Sequence, residues 1–294
     1  MTNFVSQTNT SPSVFGDNTD SLEDFSELYT LIRNECGIDL DESKNSLISA
    51  RLQTRYRALK LNSYRSYLRY LHSTSDKTEM EELISCVTTN VTSFGRESHH
   101  FEFFESQVMP DLMSRAKRGE CIRLWSAGCS NGSEPYTIAC SVLETFPEVA
   151  KYDFKILATD IDKYCLQTGK TGEYPREQVE KLPSRIVDSW FIPTGNSLRV
   201  DPQLQKLVQF NSLNLLKPWP MNRKLDAVFC RNVIIYFSAD GQADIFSNLA
   251  EHMKPGAHLF IGHSEKISGR SGPRFTNVDR TTYQFDVGKA ARKN

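Results

Sequence analysis

The stretch from Trp125 to Tyr136, Trp-Ser-Ala-Gly-Cys-Ser-Asn-Gly-Ser-Glu-Pro-Tyr, constrains this chain most. An apolar run over 121–127 leads into a turn that holds Gly128 and Gly132, and an amphipathic helix is predicted to start near Glu134. Strand, glycine turn and helix in that order describe an α/β sheet that receives a nucleotide-like ligand. Glycine lets the backbone come close, and the helix N-terminus offers free N–H groups. Residues 154–159 read as a second strand that closes on Asp160, where an acid can accept both ribose hydroxyls. The plainer role for Asp160 is to cap the next helix, which Asp162 serves as well. Residues 225–230 read as a buried later strand with Arg231-Asn232 at its carboxyl end, where open α/β sheets bind ligands. The glycine pair alone is neither a dinucleotide GxGxxG nor a P-loop. The order of glycine turn, acid and late polar pair is what carries weight. A nicotinamide enzyme shares that order, but a third packed glycine and a hydride-transfer acid/base set are missing.

At 294 residues the chain holds one large or two modest domains. A formal net charge of -1 provides no overall basic field for nucleic acid. No apolar run reaches the roughly 20 residues that span a bilayer, and the N-terminus shows no export signal. The seven cysteines are odd in number and form no CxxC pair. They are expected as reduced thiols in a cytoplasmic protein, without disulfide or metal. His99 and His100 are adjacent, so they are expected to diverge and to make a poor metal pair.

Along the chain, residues 1–20 are polar and expected to be a disordered tail. Residues 21–88 read as a helical domain of four helices. Ser21 with Asp24 caps the first and Gly37 ends it; Asp41 caps the second, which runs to about Leu61; Ser63 starts the third and the fourth begins near Asp76. Arg51, Arg55, Arg57 and Lys60 lie on the second helix, and Arg65 and Arg69 on the third. They form either a solvated face or a docking surface. Residues 89–98 form a polar linker, with Ser93 or Ser98 as the next N-cap and Arg96 at the domain junction, where sites often form. The main domain is predicted over 99–287. It opens with a helix interrupted near Pro110 and contains a small β-rich insertion at about 173–209 with helical pieces near Val179 and Val187. It continues through a helix at 239–253 and strands at 258–261 and 281–285. Residues 288–294 are a frayed basic end.

Five separated motifs in this order resemble the CheR-type chemotaxis receptor methyltransferases. They are Thr89-Asn-Val-Thr-Ser-Phe, the Trp125–Tyr136 stretch, Ala158-Thr-Asp-Ile-Asp, Phe229-Cys-Arg-Asn-Val-Ile-Ile-Tyr-Phe and Gly262-His-Ser-Glu. The resemblance covers about residues 22–286. It implies an all-α head followed by a Rossmann-like methyltransferase sheet with a small inserted β-subdomain. The implied reaction is transfer of a methyl group from S-adenosylmethionine (AdoMet) to glutamate carboxylates of chemoreceptors, leaving S-adenosylhomocysteine. The resemblance implies that Asn90, Thr92, Arg96, Gly128, Glu134, Asp160, Asn214, Leu215, Arg231 and Asn232 face AdoMet, with Arg96 and Tyr236 close to the reacting methyl. It implies that Arg51, Arg55 and Arg57 help hold the receptor's cytoplasmic helical region. A cytoplasmic monomer that acts on neither nucleic acid nor membrane is expected. Two departures stand out: Phe94-Gly95 where the family has two aromatic residues, and Ser130-Asn-Gly-Ser-Glu-Pro where it has Ser-Thr-Gly-Glu-Glu-Pro. Gly95 is expected to remove an apolar side chain near the methyl donor. The turn at 191–198 is short, so tight binding of a receptor C-terminal peptide is not expected. The rival readings are a nucleic-acid methyltransferase and a non-catalytic module that binds AdoMet or receptor.

Overall fold

The computed structural model describes residues 22–40, 45–74, 77–269 and 271–286. The Ser21–Asp24 capping box, the Asp41 cap, the Asp76 helix start and both tails lie outside the described residues. The helical head holds α1 (Leu22–Cys36), α2 (Asn45–Ala58), α3 (Tyr64–Ser73) and α4 (Lys77–Val87) around Leu28, Ile32, Leu52, Tyr67 and Leu83. Helix α3 starts where Ser63 accepts from the Ser66 N–H at 3.2 Å while the Ser66 hydroxyl accepts from the Ser63 N–H at 3.2 Å. Two serines thus make the reciprocal cap, so the helix boundary is set locally. Glu79, 3% exposed, is the polar centre of the head. It accepts from Arg55 Nε and from the Tyr67 hydroxyl, each at 2.8 Å, which ties α2 and α3 to α4.

The interruption expected near Pro110 takes the form of a wide π-helical turn that ends just before the proline. Helix α5 (His99–Phe103) passes into that turn (Phe104–Val108) and then into α6 (Met109–Lys117). Pro110 sits in the first turn of α6, directly after the π-helical turn, and has no N–H to donate to the helix behind it. Ser98 does not cap α5: its backbone is already helical and its side chain makes no cap bond.

The main sheet follows from β1 (Ile122–Ala127), α7 (Ser133–Thr145), β2 (Phe154–Asp160) and α8 (Lys163–Thr171). A three-stranded antiparallel sheet is inserted next, with β3 (Glu173–Pro175), α9 (Arg176–Val179), α10 (Ser184–Trp190), β4 (Phe191–Thr194) and β5 (Ser197–Val200) in strand order β3-β5-β4. Helix α11 (Pro202–Leu207) returns the chain to β6 (Val208–Ser212), and β7 (Leu225–Cys230), α12 (Ala239–His252), β8 (Met253–Ile261), β9 (Phe275–Asp279) and β10 (Thr282–Phe285) complete the domain. The sheet order is β6-β2-β1-β7-β8-β10-β9. Its first five strands are parallel, and β10 runs antiparallel to both of its neighbours. From β1 the chain first moves outward through β2 to β6, then crosses to β7 and β8 on the other side. That reversal opens a crevice at the carboxyl ends of β1 and β7. Strand β7 is buried at every position, as a parallel strand covered on both faces must be.

Candidate active site

The crevice is a deep cleft between head and sheet, with about 1230 Å³ of open space including the part continuous with solvent. A drug-sized ligand takes roughly 300–1,000 Å³. The linker supplies Asn90, Thr92 and Arg96 to its wall; the turn after β1 and the start of α7 supply Gly128 and Glu134; β2 ends in it at Asp160. The segment after β6 adds Asn214 and Leu215, and the segment after β7 adds Arg231, Asn232 and Tyr236. Every residue expected to face the cofactor or the methyl group therefore lines one cleft, although the positions are spread over half of the chain. The head contributes Ile38, Leu40 and Arg51 to the same lining.

Local chemistry explains the placements. A Cβ on Gly128 would come within 2.7 Å of Val233, so only glycine lets the turn after β1 close against the turn after β7. Asp160, mostly buried, accepts from the backbone N–H of Ser130 at 2.7 Å and of Asp162 at 2.9 Å. Burial pushes its pKa up, against these N–H groups. The cap of α8 is Asp162, which accepts from the N–H groups of Tyr164 (2.9 Å) and Cys165 (3.3 Å). Asp162 also does more than cap. Its carboxylate accepts from Ser85 (2.9 Å) and Thr88 (3.0 Å) of the head and from Asn90 (2.7 Å) of the linker. Sequence reasoning treated it only as a cap, because partners more than 70 residues away leave no local signal. The linker is further pinned where Arg96 Nη1 donates to the Val91 carbonyl at 3.0 Å and the Tyr236 hydroxyl donates to the Thr89 carbonyl at 3.3 Å.

Arg231, with its side chain 2% exposed, holds the floor together. It pairs with Glu134 at 3.0 Å and Glu97 at 3.2 Å, donates to the Arg96 carbonyl, and lies 5.4 Å from the centre of the Phe101 ring. The Ser126 hydroxyl donates to Glu134 at 2.7 Å. Burial pushes the Glu134 pKa up, while Arg231 and Ser126 pull the other way. Burial also acts on Glu97, but His263 and Arg231 outweigh it and hold the carboxyl down at about 2. Glu97 was not singled out from the sequence; its position directly after Arg96 was the available signal. His100 is fully buried, and burial followed by the Arg231 charge lowers it to about 3.

One expectation is corrected. His99 and His100 do not diverge: their rings lie 4.2 Å apart, and together with Glu97 their ligand atoms fall within 4.8 Å of one another. Adjacent residues at a helix start escape the mid-helix geometry on which the expectation rested. The Glu97 carboxylate there is already engaged by Arg231 and by His263 Nδ1 at 2.9 Å. Gly95 has a φ of 66°, and a Cβ there would meet Leu182 of the inserted subdomain at 3.4 Å. Phe94 packs edge-on against Tyr174 and Phe191, which fastens the linker to that subdomain.

The basic helix divides. Arg51 donates to the carbonyls of Cys86 (3.2 Å) and Thr88 (2.9 Å), securing the end of α4 and the linker. Arg55 is committed to buried Glu79, and Arg57, Lys60, Arg65 and Arg69 are exposed. Arg55 and Arg57 do not line the cleft.

Two buried polar atoms on the cleft residues lack protein partners: the Arg231 Nε donor and the Asn232 Oδ1 acceptor. A ligand end that carries both a carboxylate and an ammonium, as the amino-acid part of AdoMet does, answers both; Asp160 adds a carboxylate to the wall, and Ile161, Leu213 and Leu215 provide apolar lining. The residues present fit the cofactor.

Comparison with known proteins agrees. Residues 23–88 match the family described as "CheR methyltransferase, all-alpha domain", and residues 90–284 match "CheR methyltransferase, SAM binding domain". A Rhizobium etli relative is 40% identical over 267 residues, 90% of this chain and 100% of its own length. The chemotaxis protein methyltransferases of Escherichia coli and Salmonella typhimurium are each 35% identical, over 88% and 90% of this chain and 89% and 91% of their own. A helical head matched to one half of that pair, and a glycine-lined sheet edge matched to the other, place this chain in the CheR family of AdoMet-dependent chemotaxis protein methyltransferases.

Proposed function

We propose that the cleft between head and sheet binds AdoMet and that this protein esterifies glutamate side chains on the cytoplasmic helices of chemoreceptors. The observation that carries the reading is convergence: residues of the linker and of four strand ends meet around one cavity that holds an unmet donor and an unmet acceptor. Bound AdoMet supplies an electrophilic methyl on a cationic sulfur. The chain's own task is to bind, orient and exclude water. A glutamate has a reference pKa of about 4.3 and is ionised near neutrality, so the site needs no general base. Charge disappears along the reaction path, so a dry cleft favours it, whereas a strong direct salt bridge to the substrate carboxylate would protect the ground state. Arg231 fits this requirement, since Glu97 and Glu134 already balance its charge. Asp160 holds the ribose, Arg231 and Asn232 the amino-acid end, and Arg96 and Tyr236 align the reacting groups. Alignment of this kind is worth up to roughly 7–11 kcal/mol in ideal cases. Receptor docking falls to the exposed bases Arg57, Lys60, Arg65 and Arg69, not to Arg55. The protein works as a cytoplasmic enzyme; among the described residues no helix is long and apolar enough to cross a membrane.

The test is incubation with tritiated AdoMet and receptor cytoplasmic fragments, scoring alkali-released methanol. Wild-type protein is expected to form base-labile methyl esters, Arg96→Ala to form none while still folded, and Arg57→Ala with Arg69→Ala to raise the fragment KM at unchanged AdoMet affinity. Label on nucleic acid instead, or AdoMet binding without esters, refutes the reading in favour of one of its rivals. An unmoved KM removes the basic face from it.

A further inference from the structure

The segment Gly262-His-Ser-Glu265 follows β8 and has no part in the chemistry above. Glu265 is nonetheless buried, at 5% exposure, and its carboxylate accepts from four backbone N–H groups. Oε1 takes those of Val233 (3.0 Å) and Ile234 (2.8 Å), and Oε2 takes those of Asn232 (2.9 Å) and Gly262 (2.5 Å). Three of these donors are consecutive. They belong to the short segment after β7 that carries Arg231, Asn232 and Tyr236 into the cleft, and Asn232 there has a φ of 57°, which is costly for a residue with a side chain. Successive N–H groups around a concavity make an anion nest. This nest is filled by a side chain from the neighbouring strand's end, so it acts as a clamp on the turn instead of a ligand site. Gly262 completes the clamp, since a Cβ there would stand 2.8 Å from the Asn232 nitrogen.

We propose that Glu265 is a positioning residue for methyl transfer. It touches neither cofactor nor substrate; it holds the turn in the strained form that puts Asn232 and Tyr236 in the cleft. This role rests on the reading of the cleft given above. Because the reaction has alignment as its lever, a turn displaced by about 1 Å can lower the rate on the order of a hundredfold.

In Glu265→Gln one acceptor oxygen becomes an NH2 donor that faces two N–H groups. The expected result is a fall in kcat of at least ~30-fold, with the receptor-fragment KM within about threefold of wild type and an unchanged circular dichroism spectrum. Val149→Ala, a cavity between α7 and β2 remote from the turn, serves as the control for simple destabilisation and is expected to keep its kcat. A Glu265→Gln protein with kcat within about threefold of wild type, or with a loss no larger than the control's, overturns the proposal. If the variant does not fold, hydrogen exchange on the wild type decides. The amides of Asn232, Val233 and Ile234 should exchange as slowly as those of β7, and exchange at the rate of an open loop overturns the clamp. A wild type inert toward receptor fragments overturns the reading of the cleft and this role with it, whatever the amides do.

Discussion

Replacing Arg231 by methionine tests the architecture of the floor most directly. The guanidinium has a side-chain exposure of 2% and serves Glu134 at 3.0 Å and Glu97 at 3.2 Å. Methionine fills much of the volume but strands the acids. Glu97 keeps its bond from His263, so the uncompensated group is Glu134, left with the Ser126 hydroxyl alone. Breaking a buried pair by removing one partner costs about 3–5 kcal/mol, most of it the penalty of the orphaned charge. Glu134→Gln in the same chain removes that charge, so the double variant should recover at least ~1 kcal/mol instead of losing more. The assay is urea unfolding followed by tryptophan fluorescence. Trp125, Trp190 and Trp219 all lie in the sheet domain, so the signal reports that domain and not the head. S-adenosylhomocysteine at about a hundredfold excess over its Kd should stabilise the wild type by ~2.7 kcal/mol and the single variant far less. A single variant as stable as wild type, or losses that simply add in the double, would show that Arg231 is not the counter-charge described here.

Two further outcomes follow from the same geometry. His100 stays neutral in the fold down to about 3, whereas in the unfolded chain it takes a proton below about 6.5. The unfolded state therefore binds more protons in that window, and stability falls as pH drops through it, by about 2 kcal/mol at pH 5. His100→Asn should flatten the change in Tm between pH 7 and pH 5, and an unchanged slope refutes the assignment. Asp162→Asn exchanges an acceptor for a donor facing Ser85, Thr88 and Asn90. Calorimetry should show S-adenosylhomocysteine affinity lowered about tenfold; equal affinity would reduce Asp162 to a helix cap.

The periodic parts of the fold were readable because their causes are local. Strand β7 begins and ends where its apolar run does, β2 closes on Asp160 as expected, and Ser63 starts α3. Strand β9 and helix α11 were overlooked. The first is a short edge strand with only Phe275 buried, and the second was hidden inside an insertion read as β, although Asp201 before Pro202 is a legible start signal. The cleft's first layer was legible through family motifs. The layer behind it was not, because Asp162, Glu265 and the Arg55–Glu79 pair act through partners 24 to 77 residues away. Those contacts exist only once the chain has folded. For the same reason Arg55 read as a surface charge, when the buried acid it serves lies on another helix.

One backbone contact has a reach beyond its size. Ile38 forms an isolated antiparallel bridge with Phe237, and the Asp39 N–H donates to the Tyr236 carbonyl at 2.8 Å. The loop leaving the first helix of the head is thus laced, main chain to main chain, to a tyrosine that lines the cleft. A displacement of that loop is therefore passed to the cleft wall through hydrogen-bonded backbone. Head and sheet thus share a stretch of main chain at the cleft, so a substitution that shifts this loop should be felt on both sides of it.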